Sequence, residues 1–170
     1  MKTRIISAMT AALFLLAGCG KKSTSSSGSS SSAAVPVTQP VMAAWQQGDK
    51  SAAVSKFLET DWSGRPLFAP GSALSLTKAE FNSLSVTDRQ SKDSREMVPQ
   101  LDSFKQLSAA VIQAGRDAVA KGDVTQARKC FTSLKQFGRA LDSPDYTRIV
   151  QLVGQAFGKM ADKELAKIGQ

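Results

Sequence analysis

Few side chains in this sequence belong to the types that catalyse reactions or bind metal ions. The 170-residue chain contains no histidine, so the commonest general base and the commonest metal ligand are both missing. Its two thiols belong to Cys19 and Cys130. The acidic residues show neither a paired catalytic spacing nor a metal-ligand spacing. The sequence therefore predicts no catalytic residue, no metal site and no cofactor, and a chain that is not an enzyme.

Cys19 stands at the end of a segment that has the parts of a secretory signal. Two basic residues precede an apolar run from Ile5 to Leu16, and the small residues Ala17 and Gly18 follow it. The 14 residues from Ile5 to Gly18 are too few for a membrane-spanning helix, which needs about 20. Residues 1–18 are therefore predicted to be an export signal.

The segment Leu16-Ala17-Gly18-Cys19 resembles the lipobox of bacterial lipoproteins at all four positions. The resemblance implies that a lipid is attached to the thiol of Cys19, that the signal is cut just before it, and that the chain is held at a membrane of the cell envelope. Gly20 follows the cysteine where Asp would favour the inner membrane. In a Gram-negative host this implies the outer membrane, facing the periplasm. An exported chain is not expected to bind nucleic acid.

Low-complexity sequence separates Cys19 from the rest of the chain. Residues 19–36 are rich in serine and contain too few apolar side chains to form a core, so they are expected to act as a linker. Residues 37–170 are long enough for one compact domain. Removal of residues 1–18 lowers the net charge from +8 to +6, because two basic residues leave with them. This net positive charge favours anionic binding partners.

Apolar residues recur at helical spacing through residues 37–170, which predicts an all-α domain. Helix starts are marked by prolines that suit a first turn and by Asp, Ser or Thr residues that suit an N-cap. Ser143-Pro144 has both marks, so the last helix is expected to begin there, with Tyr146 and Met160 on its inner face. The other expected starts are Pro40, Asp49, Thr77, Pro99 and Asp123.

Two segments fall outside these helical patterns. Residues 60–76 contain two prolines and two glycines, which predicts a loop. Because this loop also contains Trp62, Leu67 and Phe68, it is expected to lie against the core. A polar stretch over residues 87–95 separates a short helix from the longest one.

Two parts of the domain match at an offset of 74 residues. In both, a Gly-Asp pair suits a helix end followed by an N-cap. The pattern resembles the tetratricopeptide repeat, which implies antiparallel helical hairpins with alanine and phenylalanine in the seam between helices. A generic helical bundle is the alternative, because the middle unit has no Gly-Asp turn. The matching residues are Ala44, Gly48, Asp49, Ala53 and Phe57 in one copy, and Ala118, Gly122, Asp123, Ala127 and Phe131 in the other.

The predicted loop supplies the first candidate binding residues. Trp62, Arg65 and Phe68 share this loop, where binding residues often lie, and Trp and Arg are favoured interface anchors. The alternative is that the aromatic side chains cap the core.

The helix that begins at Asp123 supplies a second candidate set. Arg128, Lys135 and Arg139 lie within about 40° of one another around the helix axis, so they form a candidate surface for an anionic polymer or lipid. A solvated helix face is the alternative. Cys130 lies on the apolar side of the same helix, which predicts an inert, buried thiol rather than a reactive one.

These features favour a non-enzymatic, lipid-anchored helical module that binds an envelope protein or an anionic polymer. A cell-wall hydrolase that uses carboxylates, or an accessory enzyme, is the alternative function, and a purely structural coat or spacer is a third. A solvent-open groove would favour binding, whereas a deep pocket with convergent acids would favour catalysis.

Overall fold

Helices form nearly all of the regular structure in residues 35–169, the part of the chain that the computed structural model describes, with Ser94 described for its backbone only. The all-α prediction is confirmed for these residues, and none of their helices is long and apolar enough to cross a membrane. Cys19, the predicted signal and most of the predicted linker lie outside them. In this part of the chain there is a 3-10 turn at Ala73–Ser75 and a π-helical segment at Lys92–Met97, and the α-helices are α1 (Gln39–Gln46), α2 (Lys50–Glu59), α3 (Lys78–Ser83), α4 (Val86–Ser91), α5 (Val98–Ala120), α6 (Val124–Leu141) and α7 (Arg148–Ile168).

The two Gly-Asp turns have the same backbone geometry. Gly48 and Gly122 both have a φ of 79°, in the left-handed region that glycine enters without strain. The carboxylate of the next residue accepts a hydrogen bond from the backbone N–H three positions on, at 2.8 Å for Asp49 and 2.9 Å for Asp123. Both aspartates are therefore N-caps, as predicted, and they define two helical hairpins, α1–α2 and α5–α6.

Helices α6 and α7 make the most extensive helix–helix contact in the described domain. Their backbones meet at glycines, because a Cβ on Gly138 would lie 2.7 Å from the carbonyl oxygen of Gly154, and one on Gly154 would lie 2.5 Å from that of Gly138. No larger residue fits either position without moving a helix. The predicted inner face of α6 is buried throughout and consists of Ala127, Cys130, Phe131, Leu134, Phe137 and Leu141.

An aromatic cluster joins the loop after α2 to the helices. Phe137 of α6 lies in its middle, and the ring centroids of Phe57, Trp62, Phe104 and Phe157 are between 4.5 and 5.8 Å from its own. Aromatic pairs at such distances stabilise a core by more than the burial of their apolar area alone would. The prediction that the loop lies against the core is confirmed.

The polar stretch at residues 87–95, which the sequence pattern assigned to no helix, is helical. The longest helix, α5, begins at Val98, one residue before the predicted start at Pro99, but α4 and the π-helical segment lead into it without a break. The N–H of Val98 bonds the carbonyl of Asp93, five residues back. The π turn therefore breaks the α-helical hydrogen-bond pattern just before Pro99, which has no N–H to donate. The helix can continue through the proline because no regular α-helical bond is lost there.

Ser143-Pro144 does not begin α7, which starts instead at Arg148. The Ser143 hydroxyl accepts a long hydrogen bond of 3.4 Å from the N–H two residues on, so the pair forms a turn before the helix. Tyr146 is therefore not helical and lies in an isolated bridge with the N-cap residue of α3. Met160 is exposed rather than on the inner face, because α7 turns the side that contains Phe157 and Ala161 toward the core.

Candidate functional site

An open groove of about 700 Å³ lies between α1, the loop after α2 and the first turns of α5. Its volume is within the range of small-molecule and peptide sites. This surface, the α1 groove, is bounded by Val35, Met42, Phe68, Pro70, Gln100 and Phe104, among others.

The lining of the α1 groove is uncharged. Among the described residues that line it there is no Asp, Glu, Lys, Arg, Tyr or Cys, and most of their exposed surface in the groove is apolar. Phe68 and Phe104 pack edge to face with ring centroids 5.8 Å apart. The side-chain amides of Gln39, Gln46 and Gln100 border the groove. Such a site can hold an apolar chain and hydrogen-bond its polar atoms, but it offers no group for acid–base chemistry.

Hydrogen bonds to the loop after α2 hold α1 in place beside the groove. The N–H of Val37 bonds the carbonyl of Pro66 at 3.0 Å, and the N–H of Thr38 bonds that of Leu67 at 3.2 Å. The buried Thr38 hydroxyl donates a second bond to the Leu67 carbonyl at 2.7 Å. These bonds fix the wall formed by α1 relative to the wall formed by Phe68, so the groove is preformed.

The loop residues predicted to bind a partner have different environments. Trp62 is buried, and its Nε1 donates to Ser133 Oγ at 3.1 Å. This burial favours the core-capping alternative for Trp62, and a binding role for this residue stays a prediction. Arg65 is exposed, and its guanidinium donates a hydrogen bond to the neighbouring Gly64 carbonyl. Phe68 is 5% exposed, so it is mainly a core residue, although its ring also borders the α1 groove.

The predicted basic set on α6 is only partly available to a ligand. Arg128 and Arg139 are exposed and make no ion pair within the described residues. Lys135 is partly buried and pairs with Asp162 of α7. Lys129, which the sequence analysis did not single out, lines a shallow cleft together with Arg128. The basic face therefore consists of Arg128, Lys129 and Arg139.

The thiol of Cys130 is buried, as predicted. Burial raises the pKa of this thiol, because the thiolate would lose its hydration. A high pKa and a buried position both make a reactive cysteine unfavourable.

Glu164 is a buried carboxylate that the sequence analysis did not identify. It accepts hydrogen bonds from Arg116 at 2.6 Å and from Lys167 at 2.9 Å. The bond from Arg116 lowers the pKa of Glu164 despite the opposing effect of burial. Because both oxygens face cations, this group ties α5 to α7 and is not poised as a general acid or base.

No known family model, curated protein or solved structure matches this chain.

Proposed function

We propose that this protein is a lipid-anchored, non-enzymatic binding module of the bacterial cell envelope, whose α1 groove holds an apolar, uncharged segment of another envelope protein. The observation on which this depends is the groove itself, which is open and preformed and has no ionisable side chain among the described residues that line it. Catalysis by carboxylates, the alternative function, needs acids that converge on a site. The groove supplies none.

The rim of the groove favours a peptide over a hydrocarbon chain. The amides of Gln39, Gln46 and Gln100 each offer a donor and an acceptor, and none makes a hydrogen bond to another described residue. An extended peptide presents N–H and C=O groups that pair with such amides, while its side chains fill apolar pockets. A hydrocarbon chain would leave the amides to water.

The lipid anchor at Cys19 gives the proposed groove its location. Fifteen residues separate Cys19 from Val35, which borders the groove. At full extension such a segment reaches about 55 Å. The partner segment would therefore belong to a protein in or near the same membrane.

Site-specific photo-cross-linking in intact cells tests this function. A photoreactive residue at Met42, inside the groove, should cross-link to an apolar, uncharged segment of a membrane-associated protein. The same residue at Met160, exposed on α7, should not. Ala43→Glu places a charge in the groove and should abolish the cross-link, whereas the matched Ala156→Glu on the exposed face of α7 should preserve it.

Three results would contradict the proposal. One is a cross-link that survives Ala43→Glu, and another is equal cross-linking from Met42 and Met160. The third concerns the anchor. Cys19→Ala should release the chain from the membrane fraction, and a Cys19→Ala chain that stays in the detergent phase would show that the lipid is not its anchor.

A further inference from the structure

We infer that the outer surface of α6 is a second, separate binding site, which takes a linear polymer bearing oxyanion groups. The observation behind this inference is a strong bias in charge. Helix α6 contains four basic residues and no acidic one, within a described domain that otherwise mixes both signs. One of the four, Lys135, is neutralised by Asp162, and Arg128, Lys129 and Arg139 form the exposed basic face.

The exposed positions between these cations are polar and uncharged. Thr125, Thr132 and Gln136 lie on the same side of α6 and offer hydroxyl and amide donors. With Arg128 and Lys129 they line a shallow cleft of about 350 Å³ beside the end of α2. A guanidinium with neighbouring donors suits the oxygens of a phosphate or carboxylate group, because several charge-assisted hydrogen bonds form at once.

The length of the basic face fits a polymer better than a single small anion. Arg128 and Arg139 are 11 positions apart, and they lie within about 20° of each other around the helix axis. The helical rise separates them by about 16 Å. A single phosphate cannot contact both, whereas successive groups of a linear polyanion can.

A membrane surface is a poorer fit than a polymer. Helices that lie on bilayers insert an apolar face between the lipids. The apolar face of α6 is instead buried in the domain core, where Phe131, Leu134 and Phe137 are at most 1% exposed. Only charge attraction would then hold this face to lipid, without the apolar insertion that anchors such helices.

Binding of linear polyphosphate and of polyglutamate to the full chain carrying Cys19→Ala tests the inference. The triple variant Arg128→Gln, Lys129→Gln and Arg139→Gln should weaken binding at least tenfold. The matched control, Lys105→Gln, Lys159→Gln and Lys163→Gln, removes three other exposed cations that have no ion pair in the described structure. It should weaken binding less than twofold. Binding should also weaken as salt is raised.

Equal losses in the two triple variants would overturn the inference, because binding would then follow net charge alone. The inference would also be overturned if neither polymer bound to the chain. If vesicles with anionic headgroups bind the same chain more tightly than the polymers do, and the α6 variant abolishes this, the ligand is a membrane and not a polymer. Circular dichroism should show unchanged helicity for both variants, since all six positions are exposed.

Discussion

The hairpins α1–α2 and α5–α6 have the same type of turn, but their phenylalanines pack differently. In the second hairpin, Phe131 packs onto α5 at Gly115, where an added Cβ would lie 2.5 Å from the ring. In the first hairpin the position equivalent to Gly115 is Val41. Phe57, the equivalent of Phe131, packs instead against Trp62 of the following loop, at 4.6 Å between centroids.

This difference shows that the turn and the seam are specified separately. The turn depends on a local Gly-Asp pair, and its hydrogen bonds repeat in both hairpins: the N–H of Asp49 bonds Ala44, and the N–H of Asp123 bonds Ala118. The seam depends on whether a glycine leaves space for the ring. The helices of the first hairpin have 8 and 10 residues, against 23 and 18 in the second. Helices that short need contacts outside their own hairpin.

The largest expected effect comes from removing the ring that fills the second seam. Phe131→Ala should lower the free energy of unfolding by about 3–5 kcal/mol, because it leaves a cavity beside Gly115. Cys130→Ala at the neighbouring buried position should cost much less. Urea titrations followed by circular dichroism measure both. The reverse order would show that Phe131 does not fill the seam.

A double-mutant cycle sharpens the contrast between the seams. Gly115→Val alone should destabilise the domain, because its side chain overlaps the Phe131 ring. In a Phe131→Ala background the same substitution should cost clearly less. Additive effects of the two changes would mean that the ring and the glycine do not share the same space.

The two turn glycines should respond alike to substitution. Gly48→Ala and Gly122→Ala should each cost about 1–2 kcal/mol, because a side chain is strained at positive φ, although neither Cβ would meet another atom. Gly158→Ala is the matched control. It lies inside α7 with free space around it and no positive φ, so it should stabilise by about 0.5–1 kcal/mol. Thermal melts that show stabilisation at Gly48 or Gly122 would contradict the left-handed turn.

The two N-caps should also behave as a pair, with a smaller effect. Asp49→Ala and Asp123→Ala should each cost about 0.5–2 kcal/mol, whereas Asn at either site should be nearly neutral because it also caps. Unchanged melting temperatures for both alanine variants would show that these bonds contribute nothing to stability.

The smallest expected effect is on the pH dependence of stability, and it concerns only the second hairpin. The ion pair between Arg116 and Glu164 ties that hairpin to α7. The folded pKa of Glu164 is lowered, mainly by the hydrogen bond from Arg116. Its contribution to stability is therefore present above the unfolded pKa and is lost as pH falls through the folded pKa. Glu164→Gln should make the acid-side loss of stability shallower. An unchanged pH profile would show that the pair does not couple to folding.

Local signals account for the parts of the fold that the sequence predicted well. The Gly-Asp turns and the inner face of α6 follow from residues close together in the chain. Ser143-Pro144 was misassigned because the same residue types suit a turn as well as a helix start. The helical stretch that leads into α5 was not predicted, because a π turn has no simple sequence mark.

The candidate sites were harder to predict because their residues are distant in sequence. Trp62 bonds Ser133 of α6, and the pairing of Lys135 with Asp162 depends on how α6 and α7 pack. A helical wheel shows neither contact. The α1 groove joins Met42 and Phe104 across two helices and a loop, so it exists only once the chain has folded.

The hydrogen bonds that hold the start of the domain also decide how it would respond to mechanical load. With the chain anchored at Cys19 as proposed, tension along the linker would reach the described domain at Val35 and would first load the bonds of Val37 and Thr38 to the loop after α2. These bonds would have to break before α1 could be pulled away from Phe68. Such a pull would open the groove and release the proposed ligand while the contact between α6 and α7 stayed intact, since local opening needs less free energy than global unfolding.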